Sequence, residues 1–415
     1  MKIRLKYSKI NNYNLLLGLL YLMPIVDSIS GLFHDIYPVG QIYRIIYFTY
    51  MMFMLMSNAR KIAGRLMSVF FAFLIMQTLV SVSGRYVVKS IQDTIKLFTP
   101  ILMISLFQNL LSKGRIRRES FFHLLDAWSI LYPLLIIVPS ALGINNYAYD
   151  DSVGWKGFFF AINEISFIMS SLVIYRFYNL SQKTNTKELG LLILNIICLV
   201  GMGTKTGYAS VAVGILAFGI FFLKEKKASK ILKTIGISFL AVIVAFLLRD
   251  RVVELTNSIF ERWFYQRQIS YSTTDFLFSM RLRRIGTAFS EFLEGFHVLF
   301  GWGLGGELAG KQNIEMDFID LLFRTGVAGF FYVFIFYFSK IKHIFKNNLW
   351  GTFIVVWSFA LAFGAGHVLF YGQSGMMLAL NIIISLLIGE SIKKRKDENK
   401  DESNKKQNMH ISSYV

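Results

Sequence analysis

Three carboxylates and an arginine open the stretch EMDFIDLLFRTGVAGFF, Glu315 to Phe331, which runs on apolar to Phe338. Each charge taken into a bilayer costs about 2.5–3.5 kcal/mol even on a lenient scale, so these groups either pair or do chemistry. Successive helical residues turn by about 100°. Asp317, Asp320 and Arg324 therefore share a face, and Asp320 and Arg324 have the four-residue spacing of an intrahelical ion pair. That pair reads as structural, each charge satisfying the other. Glu315 stands before the first turn, where the helix dipole favours a carboxylate. It can cap the helix, or act as a general base toward a hydroxyl.

Upstream, residues 249–314 carry Arg249, Arg251, Arg262, Arg267, Arg281, Arg283, Arg284 and Lys311. The planar guanidinium fork donates two hydrogen bonds to phosphate oxygens. A cluster of this density points to an anionic ligand, although single arginines solvated among lipid phosphates are the plainer reading. The segment RWFYQRQISY, residues 262–271, mixes aromatics with arginines as an interfacial helix does. In FSMRLRRIGTAFSEFLEGF, residues 278–296, Met280, Leu282, Ile285, Phe289, Phe292 and Leu293 recur at mostly helical spacing, predicting an amphipathic helix against the membrane. Gly301, Gly303, Gly305 and Gly306 predict a tight turn with φ > 0. Asn163 and Glu164 lie near a helix end; Asn163 can bond to neighbouring backbone, Glu164 can pair with an arginine of the loop, or both can meet substrate. His367, in AFGAGHVLFYGQSG, is flanked by glycines that permit close packing, and reads as a packed neutral imidazole or a substrate contact.

The elements that must position these groups are membrane helices. Of 415 residues 54% are hydrophobic, above the roughly 45–50% of soluble domains, so the chain is an all-α polytopic membrane protein. Segments long enough to cross about 30 Å of hydrocarbon occur at 14–33, 38–57, 62–82, 94–111, 122–142, 158–179, 189–203, 206–223, 231–248, 316–338, 350–370 and 372–390, twelve in all. No small-residue cleavage site follows Lys2, Arg4, Lys6 and Lys9, so the first segment is expected to stay as a helix. Loops on the side of the N-terminus carry 28 basic residues against four in the short loops opposite. The positive-inside rule then puts both termini in the cytoplasm and the large loop 249–315 outside. The formal charge of +19 is a topology signal and a match to anionic lipid, and gives no support to nucleic-acid binding. Residues 1–390 form one transmembrane domain, and the polar, mixed-charge 391–415 reads as a disordered cytoplasmic tail. The single Cys198 excludes an intramolecular disulfide and a Cys-based metal site.

Several of these stretches, taken in order, carry a resemblance. KGFFFAINEIS, residues 156–166, resembles the Gly-Phe-Phe…Asn-Glu segment of the O-antigen ligase and Wzy-type polysaccharide polymerase superfamily. GTKTGYASVAVGI, residues 203–215, is similar to that family's Thr/Ser-Arg-polar element, with Lys205 at the arginine position. SMRLRRIGTAF followed by LFGWGLGGE resembles its Ser-x-Arg helix and Gly-x-Gly-x-Gly turn. The opening stretch is similar to its loop-closing motif, His-[polar]-x9-Gly-x-x-Gly, with Gly326 and Gly329 in register but Glu315 at the histidine position and Met316 after it. The resemblance covers about 155–330; the first five helices show nothing specific.

The resemblance implies a GT-C-like membrane glycosyltransferase of the bacterial inner or plasma membrane, acting on the extracytoplasmic face. Its substrate would be an undecaprenyl-diphosphate-linked oligosaccharide, polymerised into capsule, exopolysaccharide or O-antigen, with a flippase and a chain-length regulator of the same pathway as possible partners. Such an enzyme must hold a donor diphosphate, polarise an acceptor hydroxyl and stabilise the leaving diphosphate. No Asp-x-Asp or His-rich set lies on the outer face, so fixed cations are expected in place of a metal, and no cofactor. The roles implied are Glu315 as base and Arg281 on the diphosphate, with Lys205, Arg284, Asn163, Glu164, Asp317 and His367 toward substrate. The ligase branch carries His at position 315 of this chain, so Glu315 favours a polymerase over transfer of a finished glycan to a terminal acceptor. A lipid-linked oligosaccharide flippase is the reading from another class; it calls for broken helices in two matching halves, and no such repeat is present in the sequence.

Overall fold

The computed structural model describes residues 12–33, 37–80, 84–144, 146–147, 154–183, 185–224, 249–305, 314–345, 348–366 and 368–391. Apart from one isolated bridge between Tyr147 and Trp155, the regular structure among them is helical. In chain order the helices are α1 (Asn12–Leu32), α2 (Val39–Asn58), α3 (Arg60–Val80), α4 (Gly84–Ser112), α5 (Glu119–Ala141), α6 (Ile162–Gln182), α7 (Thr186–Gly201) and α8 (Lys205–Lys224). There follow α9 (Arg249–Ile269), α10 (Thr273–Leu277), α11 (Arg281–Phe292), α12 (His297–Phe300), α13 (Asp317–Ile341), α14 (Leu349–Ala365) and α15 (Gly372–Ser391).

Seven of these, α1 to α5, α13 and α15, are long and apolar enough to cross a membrane, so the chain is a multi-pass membrane protein. Among the described residues the expected count of twelve is not reached. Helices α8 and α14 are apolar but shorter, over Lys205–Phe221 and Leu349–Gly364, and the expected span 231–248 lies outside the described residues. Helix α6 has the length, but Asn163, Glu164, Ser166, Ser170, Ser171 and Arg176 lower its hydropathy. Its neighbours explain that composition: every side chain from Glu164 to Phe177 is buried, so protein and not lipid receives its polar groups.

Those groups bond across helices. Arg176 pairs with Asp126 of α5 at 2.7 Å and Glu188 of α7 at 2.8 Å. Asn195 of α7 donates to the Ser129 carbonyl at 2.8 Å. Asn381 of α15 donates to Ser171 at 2.9 Å and Ser358 at 2.8 Å. In a medium without water, interhelical hydrogen bonds of this kind hold a bundle that apolar burial alone does not specify.

Helix α4 starts at Gly84, ten residues before the expected span, which makes Lys89, Asp93 and Lys96 helical neighbours paired at 3.2 and 2.9 Å. Helix α13 is broken at Gly326, whose φ of 67° interrupts it. The break frees two carbonyls of the preceding turn, and the glycine turn fills them: Trp302 N–H donates to Phe323 O and Gly303 N–H to Arg324 O, both at 3.0 Å. Beyond the turn, Leu304 N–H donates to Gln77 of α3 and Gly305 N–H to Ser90 of α4. A Cβ at Gly301 would collide with the Arg324 backbone, and one at Gly326 with the Leu299 backbone, so glycine is needed at both for this close approach. Gly301 and Gly303 have φ of 72° and 91°, as the turn requires; Gly306 lies outside the described residues.

The amphipathic segment expected over 278–296 is helical only from Arg281 to Phe292, and much of its apolar face meets protein where lipid was expected. Ala288 and Phe292 are buried with Trp302, Ile314, Met316 and Phe323, and Leu282 and Ile285 pack against them. Phe289 and Leu293 remain exposed.

Asn58 bonds with Tyr13 and with Lys113, and Tyr21 reaches Ser120, so the basic turns after α2 and α4 share one end of the bundle. Following the helix directions, the starts of α6, α8 and α13 lie at the other. If the charge rule reads that second end correctly as outside, cysteines placed at Lys205, Arg281 and Glu315 will react with an impermeant thiol reagent in intact cells. Those at Lys227 and Lys394 will react only after permeabilisation. The native Cys198 is fully buried, which keeps the background low. Labelling at 281 only after permeabilisation would refute the orientation.

Candidate active site

The pair at the centre is Glu315 and Arg281. Arg281 donates to Glu315 Oε2 from Nε at 3.3 Å and from Nη2 at 3.1 Å, and its Nη1 donates to the Gly364 carbonyl at 2.9 Å. Arg284, one helical turn on, reaches Glu315 Oε1 from Nη1 at 3.4 Å. Arg283 points away, donating twice to Asp275 at 3.0 and 2.7 Å. Helical arithmetic explains the division, since residues three apart face alike and adjacent ones do not. Arg281 is buried and Glu315 is about a third exposed at its side chain.

Backbone strain surrounds this pair. Among the described residues, the non-glycine residues with positive φ are Ser279 (50°), Met280 (61°) and Glu315 (63°). Two directly precede Arg281 and the third is its partner. Such conformations cost about 1–3 kcal/mol each and persist where the surroundings over-determine them. Here Asp320 accepts the N–H groups of Ile314 at 2.9 Å and Met316 at 3.1 Å, clamping both sides of Glu315. Gly366 packs so closely that a Cβ there would collide with the Glu315 carbonyl.

The other carboxylates of the opening stretch have different work. Asp320 interacts with the charge of Arg324 as expected, but it is also engaged by backbone N–H groups, and Arg324 stands 3.9 Å from Asp93 as well, so the pair is not self-contained. Asp317 is buried, and its Oδ2 accepts from Val368 N–H at 2.7 Å and Leu369 N–H at 2.9 Å. It anchors the α14–α15 connection and does not face the cavity. Glu315 does not cap α13 either: the N-cap residue is Met316, with no side-chain cap bond.

Beside Arg281 opens a cavity of about 260 Å³, lined among others by Asn163, Lys205, Thr206, Arg262, Trp263 and Gln266. Its floor is tied by hydroxyls, Ser166 Oγ sharing hydrogen bonds with Thr204 at 2.6 Å and Thr206 at 2.9 Å. Lys205 donates to the Phe276 carbonyl and lies 3.8 Å from the centre of its ring. Burial, with the nearby charges of Arg262 and Arg281, pushes the Lys205 ammonium down to about 8. Its charge is held below that pH and lost above it, so affinity for an anionic ligand is expected to fall as pH rises through about 8. Lys205→Arg, which stays charged, will flatten that limb; an unchanged alkaline limb would remove Lys205 from anion binding.

Arg281, Lys205 and Asn163 thus meet at one cavity, with Arg284 and Glu315 adjoining through Arg281. Glu164 does not join them. It is buried in α6, where its charge interacts with Arg44 of α2 and with Tyr132, and it does not line the cavity. His367 lies outside the described residues. Arg262, Trp263 and Gln266 were not singled out as site residues from the sequence, although the aromatic and basic spacing of RWFYQRQ marked their helix.

Residues 190–334 match the family model described as O-antigen ligase. The matched stretch includes Lys205, Arg262, Arg281, Arg284, Glu315 and Gly326. No curated protein and no solved structure matches the chain.

Proposed function

We propose that the chain polymerises polyprenyl-diphosphate-linked oligosaccharide units into a surface polysaccharide, a reading supported by the match of residues 190–334 to the O-antigen ligase family model. Transfer occurs on the extracytoplasmic face of the bacterial plasma membrane, with inversion and without a metal. The observation that carries this reading is the Arg281–Glu315–Arg284 cluster, held by strained backbone at the edge of a cavity with two further cations, Lys205 and Arg262.

The chemistry follows from what these groups can do. A guanidinium has five N–H donors, and the bonds Arg281 makes to Glu315 and Gly364 use three. The remaining two, with Lys205 and Arg262 of the cavity wall, would hold an anion there and stabilise the charge of the departing diphosphate. Glu315 presents its carboxylate to the acceptor hydroxyl, orienting it and taking its proton as the new glycosidic bond forms. The proton leaves the acceptor oxygen, the bond from anomeric carbon to diphosphate breaks, and the diphosphate keeps that electron pair. A cavity roofed by α9 and α10 beside the start of α8 favours this over a flippase, which needs a continuous path between two matching halves.

A ligase is the second reading, favoured by the description of the matching family; Glu315 in place of histidine favours the polymerase. Deleting the gene and sizing the lipid-linked and surface glycans separates them. Single units alone indicate loss of a polymerase, full-length unattached polymer loss of a ligase, and unchanged glycans refute both.

A further inference from the structure

Trp263 stands in the wall of two cavities, the basic one of about 260 Å³ and a second of about 470 Å³ that includes Asn257, Phe260 and Phe264. Its indole is held edge-to-face by Tyr208, ring centres 5.1 Å apart, and by Phe260 at 5.9 Å. On the basic side it shares the lining with the carboxamides of Asn163 and Gln266.

That lining is divided in chemistry. Lys205, Arg262 and Arg281 suit a phosphate. The face of an indole carries negative quadrupole charge and repels one, while carboxamides offer a donor and an acceptor together. An aromatic face beside such groups suits a ring with C–H bonds on its face and hydroxyls on its edge, which describes a sugar. The cavity is smaller than the about 300–1,000 Å³ of a whole-ligand pocket, so it holds a phosphate and one adjoining ring, and the remainder of a longer ligand continues past Trp263.

We propose that Trp263, with Gln266 and Asn163, forms a saccharide subsite that stacks the sugar ring directly attached to the donor diphosphate. This rests on the reading of the cavity as a glycan-transfer site. Trp263 is then a specificity residue: it separates glycan-bearing lipid diphosphates from bare ones, and the cations hold what the two have in common. An isoprenoid chain lying on the exposed Phe260 and Phe264 is the competing occupant, but it would leave the two carboxamides without a task.

The purified full-length protein in nanodiscs tests this with two probes, farnesyl diphosphate and farnesyl diphosphate bearing one N-acetylhexosamine. Wild type is expected to bind the sugar-bearing probe more tightly by on the order of tenfold. Trp263→Leu keeps apolar bulk and removes the π face; it should abolish that difference by weakening the sugar-bearing probe selectively, while the bare probe still binds through the cations, which reports a folded site. Trp263→Phe should retain most of the preference. Equal weakening of both probes in the Leu variant would assign Trp263 to the isoprenoid chain, and a preserved preference would remove it from recognition; either overturns the proposal. If wild type binds neither probe, the glycan-transfer reading itself fails, an outcome distinct from the other two.

Discussion

Glu315→Gln is expected to lower the rate of glycan joining by about 10²–10⁴-fold, the contribution of a general base, with little change in melting temperature. Glutamine keeps the size and an oxygen that accepts from Arg281, so the strained turn at Glu315 and the Asp320 clamp persist. The change removes the carboxylate that would take a proton. Stability should move little because the Glu315–Arg284 pair is part-exposed, such pairs contributing about 0–1 kcal/mol, and because the glutamine oxygen still accepts from the buried Arg281, whose N–H groups are not left unsatisfied. Helix capping does not compete as an explanation, since Met316 occupies that position and Glu315 faces the arginines. The purified variant should be assayed on lipid-linked repeat units beside its thermal melt. Near wild-type polymerisation would reduce Glu315 to a post for the arginines. Asp317 could not then simply replace it, because the backbone of Val368 and Leu369 already holds its Oδ2.

Arg281→Lys should cost activity nearly as severely, although the charge is kept. Arg281 uses three directions at once, two N–H groups converging on Glu315 Oε2 and a third on the Gly364 carbonyl. A lysine ammonium is a point charge that cannot reproduce a planar fork. The variant would therefore lose the orientation of Glu315 as well as its own reach to phosphate, and a fall of at least about 10²-fold in kcat/KM is expected, comparable to removing one donor from a preorganised charge-stabilising site. Membrane insertion and yield should be unaffected, because α11 lies outside the seven membrane-length helices. Full activity in Arg281→Lys would mean that a general positive field is sufficient, and that the arginine is one of many cations solvated near lipid phosphate.

The opening stretch shows where legibility ended. Glu315, Asp317 and Asp320 are of one chemical kind within six residues, and their spacing assigned Asp320 to Arg324. In the structure Asp320 feels the charge of Arg324 but also holds the backbone on either side of Glu315, and Asp317 goes to a connection some fifty residues away. Glu164 was similarly readable as a carboxylate at a helix end, but the arginine whose charge it meets, Arg44, comes from α2, far earlier in the chain. The left-handed residues Ser279, Met280 and Glu315 had no signal at all, since none is glycine, asparagine or aspartate, the types that favour that region.

The sequence by itself determined that this is a helical membrane protein and where most of its helices lie. Those features are local: length, hydropathy and flanking charge accumulate along the chain and need no partner to have meaning. Only the tertiary structure decided which charges meet. The break at Gly326 lets the 301–303 turn dock on α13, and the buried polar helix α6 presents Asn163 to the cavity that Lys205, Arg262 and Arg281 line. An ion pair spanning 34 residues forms where strained backbone at Glu315 and just before Arg281 is held by the surrounding fold, and no spacing rule along one helix contains that information.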